Sequence, residues 1–146
     1  MKITVEKLKE LGACDSGIEY FKSKHSKGVE LTDLIREDIA TNDSRILGYA
    51  NWLVERCITC EQHIDYIIYG AELVLPKYNK IYPNDCRIRN YIQLIKDFRD
   101  GKITREQLLG VADIAFMGYA VANAFISDRN AIMIKILEYG VTLLED

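Results

Sequence analysis

Apolar residues recur along this chain every three or four positions, the spacing that lines one face of an α-helix, and the strict alternation that marks a half-buried strand is almost absent. From the start, Thr4 can cap a short helix whose apolar side is Val5, Leu8 and Leu11 and which Gly12 closes. Asp15 opens a second helix with Ile18 and Phe21 inward. Leu31, Leu34, Ile35 and Ile39 make a third, capped near Thr32, and Asn42-Asp43-Ser44 starts a longer one through Ile46, Leu47, Ala50, Leu53, Val54 and Cys57. From Glu61 to about Leu75 the series Ile64, Ile67, Ile68, Ala71, Val74 continues helical. Pro76 is expected to kink or end it, because its ring removes an N–H and crowds the preceding turn.

The next helix has an odd polar head. Pro83 stops the segment before it, Asn84 or Asp85 can cap it, and Ile88, Tyr91, Ile92, Ile95 and Phe98 share a face before Gly101. Within that head, Asp85 suits the positive end of a helix dipole, but Arg87 and Arg89 oppose it and so call for an anionic partner inside or outside the fold. Thr104 and Gln107 form a capping box ahead of a helix crowded with small residues, Gly110, Ala112, Ala115, Gly118, Ala120, Ala122 and Ala124, which would let neighbours approach closely. A last helix begins at Ser127 or Asp128 and carries Ile132, Ile136, Leu137, Val141 and Leu144. The expected class is all-α: a single compact bundle of about seven or eight helices, with residues 1–42 as a short-helix N-terminal segment packed on a bundle formed by 43–146.

Composition narrows the function. The net charge of −3 is spread evenly, with 9 basic and 10 acidic residues up to residue 60 and 10 and 12 after it. With no basic half or arm, direct nucleic-acid binding is disfavoured. No apolar run approaches the ~20 residues of a membrane span and the N-terminus lacks an apolar targeting segment, so the expected compartment is the cytoplasm, with no membrane partner. Cys14, Cys57, Cys60 and Cys86 fit free thiols there.

Chemistry-bearing patterns are sparse. Cys57-Ile58-Thr59-Cys60 with His63 admits a zinc reading, but Cys14 and Cys86 have no second ligand close in sequence, so no metal or other cofactor is expected. Glu61, His63, Asp65 and Glu72 are read as a solvated helix face. With no phosphate loop, nucleophile elbow or metal-protease motif, the chain is expected not to be an enzyme, and no catalytic residue is assigned. Trp52 and Arg56, four apart on a helix, are placed to stack as a cation–π pair. The first reading of Asp85, Arg87 and Arg89 is a buried ion-pair network pinning the helix start, through Glu72 or Asp113. The second is a site for an anion or an acidic partner.

Trp52-x-x-x-Arg56, Tyr69-Gly70-Ala71-Glu72, Tyr82-Pro83-Asn84-Asp85-x-Arg87-x-Arg89 with Ile92, Phe98-x-x-Gly101 and the alanine-rich helix pair together resemble a family of predicted immunity proteins from bacterial polymorphic-toxin systems, over Trp52 to Leu144. The chain departs from that pattern in having Ile88 and Asn90-Tyr91 where the family has proline and an alanine-rich stretch. The front segment, Leu8 through Phe21, is similar to the N-terminus of many phage and bacterial proteins. The resemblance implies a helical scaffold of phage or mobile-element type that binds and neutralises another protein, a toxin or a host-defence effector. An acidic face at Glu30, Asp33, Glu37, Asp38 and Asp43 would then steer it to a basic target. Candidate binding residues are Trp52, Arg56, Glu37, Asp38, Asp85, Arg87 and Arg89. The alternative is a protein that binds a nucleotide or other anion at Arg56, Arg87 and Arg89.

Overall fold

A computed structural model describes residues 1–111 and 128–146, and among these the chain is almost wholly helical, with eight helices and one two-stranded sheet. The sheet pairs β1 (Lys2–Ile3) antiparallel with β2 (Val29–Glu30), setting Ile3 against Val29. At two residues each, these strands are too short to show an alternating pattern. Gly28 lets the chain turn into β2: its φ is +81°, and a Cβ there would stand 2.8 Å from the Ile3 carbonyl oxygen.

Helix α1 (Val5–Glu10) is capped as expected by Thr4, whose side chain accepts from the Lys7 N–H, and α2 (Asp15–Lys24) buries Ile18 and Phe21. Helix α3 (Leu31–Thr41) departs from expectation at its start. Glu30, not Thr32, is the cap residue, and the Leu31 N–H donates to the carbonyl of Met1, just ahead of β1, at 2.9 Å, which satisfies one donor of the helix end. Asp43 caps α4 (Ser44–Cys57) by accepting from the N–H groups of Arg45 and Ile46.

Helix α5 (Cys60–Ile81) corrects two readings. Its true start is a capping box, Thr59 with Gln62, and Pro76 does not end it, for the helix continues to Ile81. The proline is tolerated because it is exposed and its neighbours Val74 and Tyr78 are anchored in the core. Cys57 and Cys60 therefore do not share one helix: the first ends α4 and the second begins α5. Helix α6 (Arg87–Arg99) buries Ile88, Ile92 and Ile95, leaving Tyr91 and Phe98 half-exposed. Helix α7 (Arg105–Val111) starts at the Thr104–Gln107 box. The small residues expected beyond it, from Ala112 to Ala124, lie outside the described residues.

The last helix, α8 (Arg129–Glu145), packs on α3, α4 and α5, and α5 packs on α6. One large core joins Ile3, Leu8, Phe21, Ile35, Leu47, Val54 and Leu137, so residues before and after position 43 share it. A second, smaller core holds Ala71, Tyr78, Ile88 and Ile92 between α5 and α6. The close approach of α8 depends on Gly140, where a Cβ would meet Val54 Cγ1 at 2.8 Å and the Tyr66 ring at 3.0 Å.

Candidate functional site

The candidate residues fall into two separate places. The first is the turn between α5 and α6, where Asp85 and Arg87 sit beside Ile81 and Tyr82 around a shallow hollow. Helix α5 ends in a bond from the Tyr82 N–H to the Tyr78 carbonyl, and the Asp85 N–H closes the turn on the Tyr82 carbonyl at 3.1 Å. Asp85 then gathers the turn. Its Oδ2 accepts from the Tyr78 hydroxyl at 2.6 Å, its Oδ1 accepts from the Arg87 N–H at 3.0 Å, and both oxygens accept from the Arg87 guanidinium at 2.6–3.0 Å. These bonds all favour the carboxylate, and those from Arg87 and Tyr78 foremost hold the Asp85 carboxyl well below its ordinary range. Asp85 thus performs the capping although Cys86 is the residue at the helix boundary.

Glu72, one of the two partners expected for Arg87, pairs instead with Lys96, and among the partners of Arg87 in the described residues is Asp85, two positions earlier. The Arg87 side chain is 64% exposed while that of Asp85 is 15% exposed. The guanidinium lies outside its carboxylate and not beneath it, and the pair fastens the turn. Asp113 lies outside the described residues. Arg89 is exposed and lines neither hollow.

The second place is a cleft of about 290 Å³ bounded by α1, α2, α3 and α4. It brings together two candidates from distant parts of the sequence, Asp38 and Trp52, and adds Cys14 with Tyr20 and Tyr49, aromatic residues that the sequence could not allocate between core and interface. Asp38 corrects the idea of an acidic docking face, since it is 3% exposed and accepts from the Tyr20 hydroxyl at 2.6 Å. Burial is the main cause that raises its carboxyl pKa, and the Tyr20 hydrogen bond pulls it back.

The other acids of that supposed face are engaged. Glu30 binds the N-terminal ammonium at 3.0 Å, Asp33 lies 3.6 Å from Arg36, and Asp43 caps α4. Glu37 sits 3.1 Å from His25 Nε2, within ion-pair range but off the line that a hydrogen bond needs. Arg56 stacks on Trp52 at 5.7 Å from the ring centre, as the spacing predicts. At the cleft's rim Cys14 precedes α2 and lies 3.4 Å from Ser16 Oγ, and that hydrogen bond is the main cause that lowers its thiol pKa. Cys57 shifts the other way, raised by burial.

Among the described residues no group of three or more His, Cys, Asp or Glu side chains converges on a possible metal position, and no helix is long and apolar enough to cross a membrane. No family model matches the chain, nor does any curated protein or solved structure.

Proposed function

We propose that this protein acts by binding: a small non-enzymatic helical protein of phage or mobile-element type that neutralises another protein, a toxin or a host-defence effector, by covering part of it with the α5–α6 turn. The observation that carries this reading is the pairing of exposed apolar side chains with a pre-set backbone. Ile81 and Tyr82 are 54% and 49% exposed, on a turn that Asp85 fastens through Tyr78 and Arg87. Tyrosine and arginine are the side chains that most often carry interface energy, and a turn already ordered loses little entropy on docking. The alternative, an anion held by Arg56, Arg87 and Arg89, draws less support. The Arg87 fork is closed on Asp85, and Arg56 is stacked on Trp52.

The test is a double variant, Ile81→Ser with Tyr82→Ala, which alters exposed side chains and should lower the urea midpoint only modestly, through loss of the Tyr82 ring contact with Tyr78 at 4.9 Å. A protein retained from host cells by the parent should be lost by the variant, and mixing the parent with that partner at equal stoichiometry should abolish the partner's toxicity. Retention of the same partner by the folded double variant would remove the turn from the interface.

A further inference from the structure

Asp38 is the one buried charged side chain among the described residues. A carboxylate taken out of water costs several kcal/mol unless its oxygens are matched. Here Oδ1 is matched by the Tyr20 hydroxyl, while Oδ2 accepts no hydrogen bond among the described residues and is open to the cleft, not sealed within protein. Lys24 and His25 act on Asp38 electrostatically without bonding it, and Lys24 is held on the Tyr20 phenol. Its Nζ lies 3.0 Å from Tyr20 Oη and 4.8 Å over the Tyr20 ring. The carboxylate lines a cleft whose remaining wall is apolar and aromatic, including Leu8, Phe21, Leu53, Tyr49 and Trp52. At about 290 Å³ the cleft is at the lower end of small-molecule sites, which span about 300–1,000 Å³.

We propose that this cleft is a binding site for a small organic cation with an apolar body, an aryl or alkyl amine, whose ammonium group bonds Asp38 and whose body lies against Tyr49 and Trp52. An ammonium donor supplies the partner that the half-matched carboxylate lacks, and such charge-assisted bonds contribute roughly twice as much as neutral ones. The apolar wall gains by excluding water from the ligand body, and the aromatic rings favour a cation near their faces. An anionic ligand of the same shape would face Asp38 directly, and a neutral one would leave the carboxylate's charge unmatched. This site is independent of the α5–α6 turn.

Trp52 is the only tryptophan of the chain and stands in the cleft wall, so its fluorescence reports occupancy. Three probes of similar shape separate the possibilities: phenethylamine, 2-phenylethanol and 3-phenylpropionate. Phenethylamine is expected to change the Trp52 emission saturably, with an affinity at least about tenfold above that of the alcohol, and the propionate to bind weakest. Asp38→Asn keeps an oxygen for the Tyr20 hydroxyl, and should bring the amine down to the affinity of the alcohol without changing the alcohol itself. Gly17→Val should weaken all probes alike by narrowing the cleft. A Cβ at position 17 makes ordinary contacts, 3.5 Å from Cys14 Sγ and 3.9 Å from the Tyr49 ring, so this second variant keeps the test available should Asp38→Asn fold poorly. Equal affinity for amine and alcohol, an amine preference that survives in folded Asp38→Asn, or no binding of any probe by calorimetry at millimolar concentration would overturn the proposal.

Discussion

Arg87→Ala is expected to leave the urea midpoint almost unmoved, because an exposed guanidinium in water contributes little to folding even when it is paired. Asp85→Ala should lower the midpoint further than Arg87→Ala, since it removes the acceptor of the buried Tyr78 hydroxyl and the cap of α6 together. The two aspartates also respond to pH in opposite senses. Asp85 has a folded pKa below its unfolded one, so its contribution is present above the ordinary carboxylate range and is lost only as pH falls towards the lowered folded value. Asp38 has a folded pKa above its unfolded one, so stability declines as pH rises from the ordinary carboxylate range through the raised folded value. Urea melts across mildly acid pH should show that decline in the parent and its absence in Asp38→Asn; an identical pH profile in both would exclude Asp38 as its source. The sequence pattern narrowed the cap to Asn84 or Asp85, because capping follows from local spacing. It could not reveal that Arg87 lies outside the carboxylate and Asp38 inside the fold, since exposure depends on how distant helices close around each residue.

At the scale of the element, α5 and α8 test how packing overrides local preference. Pro76 lies inside α5, where the Glu72 carbonyl has no N–H four residues on to bond, yet core contacts on both sides carry the helix past it. Pro76→Ala should therefore raise stability by about 1–2 kcal/mol, the ~3 kcal/mol interior penalty less what the stiffer unfolded chain returns. A lowered urea midpoint in this variant would mean that the chain needs a bend there. Gly140→Ala has the opposite sign. The added methyl meets Val54, whose β-branched side chain is fully buried and cannot swing away, so the overpacking cost of about 1–3 kcal/mol exceeds the ~1 kcal/mol gained in helix propensity. The caps at Thr4, Asp43 and Thr104 were legible because each is a local hydrogen-bond pattern. The continuation of α5 was not, because the apolar residues that sustain it, Val74 and Tyr78, bind to partners far along the chain.

For the whole molecule, the expected boundary between residues 1–42 and 43–146 does not coincide with a division of the core. Leu31, Leu34 and Ile35 of α3 are buried in the same cluster as Leu47 and Val54 of α4 and Leu137 of α8. Surface links run the same way: Arg36 pairs with Glu145, and the Asn130 side chain donates to the Asn42 carbonyl at 2.7 Å. A chain beginning at Asp43 would keep α4, α5 and α8 but lay bare the faces of α4 and α8 that α3 covers. Exposed apolar surface of that kind destabilises by roughly 25 cal/mol per Å², enough over several side chains to exceed the 5–15 kcal/mol by which a domain is stable. Residues 43–146 alone are therefore expected to lack a cooperative urea transition, and the full chain to unfold in one step. Within it, Ile35→Ala, fully buried at the meeting of the two segments, should cost about 2–5 kcal/mol and shift that single transition as a whole. Two separable transitions in the full chain, with Ile35→Ala moving only one, would show that the short N-terminal helices fold as a unit of their own despite the core they share.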